Sequence, residues 1–354
     1  MPKVALPVLV VLVGCGGRYP KGPEKPAPMM KGGIEAAALP FQIIDRGGHE
    51  TDAAAFWASV QKARAVCVGE DHPNPHHHWV QLHVVREVAK RLGKGDRIAL
   101  GMEMFQKPFQ GVVDDYAAKK IDAEALRSRA GWEERWGYDW GFYAPTIDAA
   151  VAAGGHLLAL NAARELTKKV VRQGLEALTP EERAQVPELV LDDPAHRAWF
   201  DALMEGLGGT HGHAQKKEEA APPPPSSTTP PAPAPAPPPS SPHGQGNVAM
   251  PSADRVYTVQ VMWDETMADG SAKWLAANPR GHLVILAGNG HCHDHAIVNR
   301  IKRRGVGDVI SVRPVIDDGE GNVAEVLAKP MNDYVLVLKM PRHVERAHPV
   351  SASR

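Results

Sequence analysis

Two short segments concentrate the residue types that carry acid–base and metal chemistry. Gly69-Glu70-Asp71-His72 sets a carboxylate and an imidazole two residues apart at the exit of an apolar run, and Gly288-Asn289-Gly290-His291 repeats the glycine and the histidine at the same spacing. Glycine at such an exit permits unusual φ and a close approach of backbone. Imidazole with carboxylate can bind a borderline transition metal or act as a general acid–base pair. Glu103, in Met102-Glu103-Met104-Phe105, leaves a third apolar run. A lone buried carboxylate is costly, so Glu103 belongs either to the same site or to a structural pair with Arg97 or Arg164.

The sequence holds 17 histidines, and most need not share that role. His76 and His77 fall on the first turn of an expected helix, where exposure is the usual case. His78 falls on the stripe of that helix that is expected to be buried, near the site's edge. His291, His293 and His295 alternate, so at most two of them point the same way. His211, His213 and His243 flank a proline-rich block and make, on composition alone, a loose metal-binding tract.

Elements that would position these residues can be read from patterning. β-Branched and aliphatic runs at 65–69, 97–102, 156–160, 282–287, 308–312 and 334–338 read as strands. Between them, helices are expected at about 75–92, 108–119, 143–153, 164–173, 193–206 and 253–277. Asn74-Pro75 supplies an N-cap and a first-turn proline for the first of these. Strands alternating with helices give an α/β fold, a mainly parallel sheet flanked by helices. Four loaded segments, at 69–72, 102–105, 161–164 and 288–291, each begin where a strand ends. The carboxyl ends of a parallel sheet are where sites form, so the four are expected to converge there.

The chain has 354 residues and a net charge of −1, with no basic excess to neutralise phosphates; nucleic acid is not an expected partner. Residues 1–15, MPKVALPVLVVLVGC, have one lysine and a short apolar run, as an export signal does. Leu12-Val13-Gly14-Cys15 resembles the lipobox of bacterial lipoproteins, which implies acylation of Cys15 and a lipid-anchored, periplasm-facing protein; an ordinary signal peptide and an uncleaved anchor are the alternatives. Gly16 rather than aspartate after the cysteine leans, by the same resemblance, towards the outer membrane. Residues 16–37 read as a flexible tether, and 211–251 as a proline-rich low-complexity insertion. The insertion splits one domain into 38–210 and 252–340, with a tail at 341–354. Of three cysteines, Cys67 and Cys292 lie beside the two histidine segments, and either pair or serve as small buried residues.

Taken in order, GEDHPNPHHHWVQLHVV, LGMEMFQKPFQ, WEERWGYDWGFYAPTIDAA with LLALNAARELTKKVVRQG, VMWDETMADGSAKWL and LVILAGNGHCHDH resemble the ChaN-type haem-binding lipoproteins, in a superfamily with the Tiki proteases and erythromycin esterases. The resemblance runs from about 60 to 304, apart from the insertion. It implies either haem or iron binding, in uptake or handling, or hydrolysis of peptide or ester bonds at a metal-dependent site. For hydrolysis the matching positions are Glu70, His72, Glu103 and His291, with His72, Glu103 and His291 as ligands of a divalent transition metal, or a histidine or glutamate as base. For haem, the candidate axial ligands are Tyr143, His72, His78 and His291. Trp132, Trp136, Trp140, Phe142 and Met267 would form walls, Arg164 would meet a propionate, and Asn161 would lie at the rim. Asp264 and Met267 match a site-facing helix, or else a core methionine beside a surface acid. The tryptophan-rich segment suits a flat hydrophobic ligand or a homodimer interface.

Overall fold

The computed structural model describes residues 33–206 and 251–340. The export signal with Cys15, nearly all of the proline-rich insertion, its flanking histidines and the tail lie outside the described residues. The tether expected over 16–37 ends sooner: Gly33–Ala37 forms a 3-10 turn with Ile34 and Ala37 buried. Those two apolar side chains join the core and make the last residues of that segment part of the folded body.

One seven-stranded sheet organises the chain, with strands β1 (Phe41–Asp45), β2 (Ala65–Glu70), β3 (Arg97–Gln106), β4 (His156–Asn161), β5 (Gly281–Gly288), β6 (Val309–Asp317) and β7 (Tyr334–Lys339). Their spatial order is β1-β7-β6-β2-β5-β3-β4, and all neighbours run parallel except β1 with β7. The chain is thus of the expected class, mixed α/β with a mostly parallel sheet. Parallel strands covered on both faces read as continuous apolar runs, which is why the six expected strands are all present. β1 is a short edge strand without that signature, and it pairs only through its contact with the distant β7.

Twelve helices connect and cover the strands among the described residues: α1 (Ala53–Lys62), α2 (Pro75–Arg91), α3 (Gln110–Ala117), α4 (Ala123–Ala130), α5 (Trp132–Arg135), α6 (Trp140–Ala152), α7 (Arg164–Gln173), α8 (Pro180–Arg183), α9 (Pro194–Gly206), α10 (Ala253–Ala277), α11 (Asn299–Arg303) and α12 (Asn322–Ala328). The Asn74 side chain accepts from the amides of His76 and His77 and starts α2 where the capping rule places it. α6 begins three residues before the expected start because Asp139 caps it at the Gly141 amide, 2.8 Å away.

Side chains alternate across the sheet as the pleat requires. Val66 and Val68 point into the larger core, with α1, α2 and α6; Ala65 and Cys67 point into the other, with α10 and α11. On that second face Cys67 and Cys292 form a disulfide across a sequence separation of 225 residues. It ties β2 to the loop that follows β5. Cross-linking so long a loop restricts the unfolded chain, a contribution on the order of 2–5 kcal/mol. The double variant Cys67→Ser, Cys292→Ser is expected to lose about that much unfolding free energy in urea titration, with an unchanged far-ultraviolet spectrum in the absence of denaturant.

Candidate functional site

β2, β5, β3 and β4 are consecutive in the sheet, so the four loaded segments leave its carboxyl edge side by side. Glu70 is the last residue of β2, and the Asn289 amide donates to the Glu70 carbonyl at 2.8 Å, which locks the two glycine–histidine turns together. Gly69 is required there by space: a Cβ would stand 2.2 Å from Oδ1 of Asn289. Glu103 lies just past Met102, where the pairing of β3 with β5 stops and its register with β4 shifts. That irregularity frees a carboxylate at a position the ladder would otherwise hold.

Glu70, His72, Glu103 and His291 form one buried cluster. His72 Nδ1 is 2.6 Å from Glu70 Oε1, and His291 Nδ1 is 2.6 Å from Asp264 Oδ1 on α10. A carboxylate accepts only, so each imidazole donates from Nδ1, leaving Nε2 for other work. His291 Nε2 stands 3.5 Å from Glu103 Oε1, while Glu103 Oε2 accepts the Gly288 amide at 2.7 Å. A Cβ on Gly288 would lie 3.2 Å from Cε1 and 3.5 Å from Nε2 of His72, so that imidazole rests on bare backbone beside Glu103. Neither Arg97 nor Arg164 partners Glu103: Arg97 begins β3 at its far end, and the Arg164 guanidinium donates to the Glu134 carbonyl.

The buried charges are compensated from behind. Glu70 also accepts from Gln81 at 2.8 Å and from the Tyr143 hydroxyl at 2.8 Å. Burial pushes its carboxyl up, but His78, His72 and Tyr143 outweigh that and hold it below the usual range. Burial likewise disfavours the His72 cation, and Glu70 overcomes it and raises the imidazole. For His291, burial is outweighed by Glu103 and Asp264, which raise it to about 9. Asp264 is held low in spite of burial, first by His291.

Several expected ligand-facing residues lie elsewhere. Tyr143 is 0% exposed. Its phenol is pushed well above its ordinary value by burial and by Glu70, the opposite of what a phenolate ligand needs. His78 is 0% exposed as well; it stacks on Phe142, with ring centroids 5.0 Å apart, and its Nε2 bonds the His72 carbonyl at 2.9 Å. It therefore supports the cluster rather than facing a ligand. Met267 is a core side chain packed with Cys67, Leu160 and Ile285, whereas Asp264 on the same helix reaches the site. Trp132 and Phe142 are core residues too. Asn161 caps the Ala162 amide, and Arg164 lies with Gln106 and Glu134 at the β4 side. His77 is buried, contrary to the expectation for a first helical turn, because its Nδ1 accepts the Asp71 amide at 3.0 Å.

What reaches solvent is a narrow mouth. His72, Glu103, His291 and Asn289 are each 5–7% exposed, and Trp136 is 8% exposed. Trp136 meets His72 edge-on, with centroids 4.7 Å apart, and half-buried Tyr138 lies 5.0 Å from the same ring. Tyr138 and the supporting Gln81 and His196 were not legible as site residues in the sequence. Only the aromatic spacing of Trp136-Gly137-Tyr138 hinted at the first of these. Among the described residues, no three His, Cys, Asp or Glu side chains gather around a common point as a metal ion requires. The expected set His72, Glu103 and His291 shares one cluster without forming such a cage.

The fold has known counterparts. The family model described as haem-binding uptake, Tiki superfamily, ChaN matches residues 56–301, and the chain belongs to that family. Its fold is similar to the structure of ChaN of Campylobacter jejuni with cofacial haem, at a TM-score of 0.58 and 16% identity, covering 85% of this chain and 97% of that one. A more distant likeness is to an erythromycin esterase in its open conformation, with a TM-score of 0.39 and 12% identity over 78% of this chain and 77% of that one. Protein RETICULATA-RELATED 5, chloroplastic, of Arabidopsis thaliana is 28% identical over 131 residues, 36% of this chain. The match spans 17% of that relative's length.

The charges predict a pH dependence. His291 is raised from an ordinary 6.5 to about 9, so its contribution to stability is complete below 6.5 and is lost as pH rises through 9. Glu70 is lowered, so its contribution is present above its ordinary range and disappears as pH falls. The melting temperature of the wild type should drop as pH rises from 6.5 through about 9. His291→Asn should melt lower at neutral pH and show a flatter profile over the same window.

Proposed function

We propose that this chain binds haem at the mouth above His72, as an exported protein anchored through lipid on Cys15 and acting in haem or iron uptake or handling. The observation that carries the reading is the arrangement around His72. Its Nδ1 is taken by Glu70, and the aromatic rings of Trp136 and Tyr138 stand beside it at the opening. A carboxylate on one ring nitrogen fixes the tautomer and raises the basicity of the other, and aromatic rims suit a porphyrin face. The donor set fits haem: His72 would hold the iron, Tyr138 and Trp136 would flank the ring, and Arg164 would meet a propionate. Haem supplies a redox-active iron when bound. Family membership supports the same ligand.

Export is supported by the Cys67–Cys292 disulfide, since such bonds persist in oxidising compartments. No helix among the described residues is long and apolar enough to cross a membrane. Attachment would therefore rest on the acylated cysteine and on whatever partner receives the ligand.

The test is a haem titration of the chain from Gly16 onward, followed by visible absorbance. A saturable Soret change at one haem per chain or per dimer is expected, and Glu70→Gln should weaken binding by about 10-fold or more while keeping the fold. An unsaturable change that is the same in His72→Ala and wild type would rule out this site.

A second reading is hydrolysis of an ester or peptide, favoured by one specific observation: two imidazoles, each backed by a carboxylate, flank Glu103. His291, raised to about 9, would enter at neutral pH as the protonated, general-acid member of such a pair. Turnover of ester or peptide substrates should then vanish in Glu103→Gln in a protein that still unfolds cooperatively. Equal turnover in the variant and the wild type would remove Glu103 from any such reaction.

A further inference from the structure

Behind the Asp264–His291 pair lies a second imidazole that is not part of the mouth. His196, on α9, is 0% exposed, and its two ring nitrogens face different neighbours. Nδ1 stands 3.1 Å from the Tyr257 hydroxyl and 3.4 Å from Nη2 of Arg300. A guanidinium has donors only, and Arg300 is pinned by buried Glu265, 3.2 Å from its Nε. Nδ1 of His196 therefore presents its lone pair, and the ring proton sits on Nε2. That nitrogen faces Oδ2 of Asp264 at 3.3 Å. Both atoms are buried, and neither has a hydrogen-bond partner among the described residues. Buried polar atoms are rarely left unsatisfied, so each serves the other. The ring plane is fixed independently, since Trp199 stacks on His196 at 5.3 Å between centroids and 23° between planes.

We propose that His196 is a positioning residue for His291: by donating from Nε2 to Oδ2 of Asp264, it holds the carboxylate so that Oδ1 accepts from His291 Nδ1 and His291 Nε2 stays turned to Glu103. A carboxylate on a helix rotates broadly about its last torsion. With one oxygen held by His196 at 3.3 Å and the other 2.6 Å from His291, that rotation is blocked at both ends. The device spans two helices from opposite sides of the proline-rich segment, α9 before it and α10 after it. It goes beyond either reading of the site, because it concerns how the imidazole is aimed and not what it meets.

The test uses the full chain without ligand, labelled with nitrogen-15 at histidine. The His291 Nδ1 proton, bonded to a buried carboxylate, is expected far downfield and is assigned by its loss in His291→Asn. His196→Gln puts an amide N–H where Nε2–H was and should keep that resonance. His196→Phe retains a ring for Trp199 but no donor, and should lose or shift it. An unchanged resonance in a folded His196→Phe protein overturns the proposal. The wild type gives a second reading that needs no variant: ring correlations report which nitrogen of His196 carries the proton. A proton on Nε2 is expected, and one on Nδ1 overturns the proposal. Since no haem is involved, failure here is separate from failure of the haem titration.

Discussion

Everything at the carboxyl edge of the sheet follows from burying several ionisable groups together. Glu70, Glu103 and Asp264 are almost wholly removed from water, as are His72 and His291. An isolated carboxylate in such a place would neutralise itself or disrupt the fold. Here each is matched by an imidazole, an amide or a phenol, and pairing one acid with one imidazole leaves the second ring nitrogen of each histidine available. The constraint that makes the site stable is also the one that makes it chemically competent. It explains why α2, α6 and α10 all send polar side chains towards the strand ends, and why Gly69 sits where a side chain would separate the turns.

Much of this was legible in the sequence, for identifiable reasons. Apolar runs marked six of the seven strands, and their spacing with helices gave a parallel sheet. From that alone, Glu70, Glu103 and His291 fell on one edge. The strand order then placed β2, β5, β3 and β4 as neighbours, an adjacency no local pattern contains. Side-chain direction was not legible. Tyr143 and Tyr138 are five residues apart in the same aromatic segment, yet one is sealed against Glu70 and the other faces the mouth beside His72. Met267 and Asp264 share a helix and diverge in the same way. His196 gave no sign at all, because a single histidine in an amphipathic helix looks the same whether it packs idly or orients an acid 68 positions later.

The chain shares the fold of its structural neighbour, and its mouth is set by the residues that follow α4. Trp136 and Tyr138 reach His72 because α5 and the turn after it fold over the strand ends, with the Trp132 indole donating to the Tyr138 carbonyl at 2.8 Å. α5 is only four residues long and is joined to α4 through Gly131 in the left-handed region. The aromatic rim thus rests on a short, locally braced segment, while the ionisable cluster rests on the sheet.

The order of strands in space has a consequence for the order of events in folding. β5 lies between β2 and β3, and β6 lies on the other side of β2, whereas β1 pairs only with β7. As the chain is made, β2, β3 and β4 emerge well before the strand that must separate β2 from β3. Their native neighbours are missing until residues 281–339 arrive, so early pairing of β2 with β3 would be a trap that β5 must undo. Contacts of such long range slow folding and lengthen exposure of unpaired edges. β5 is therefore the strand that both joins β2 to β3 and delivers His291, so the two halves of the site meet only when the sheet does.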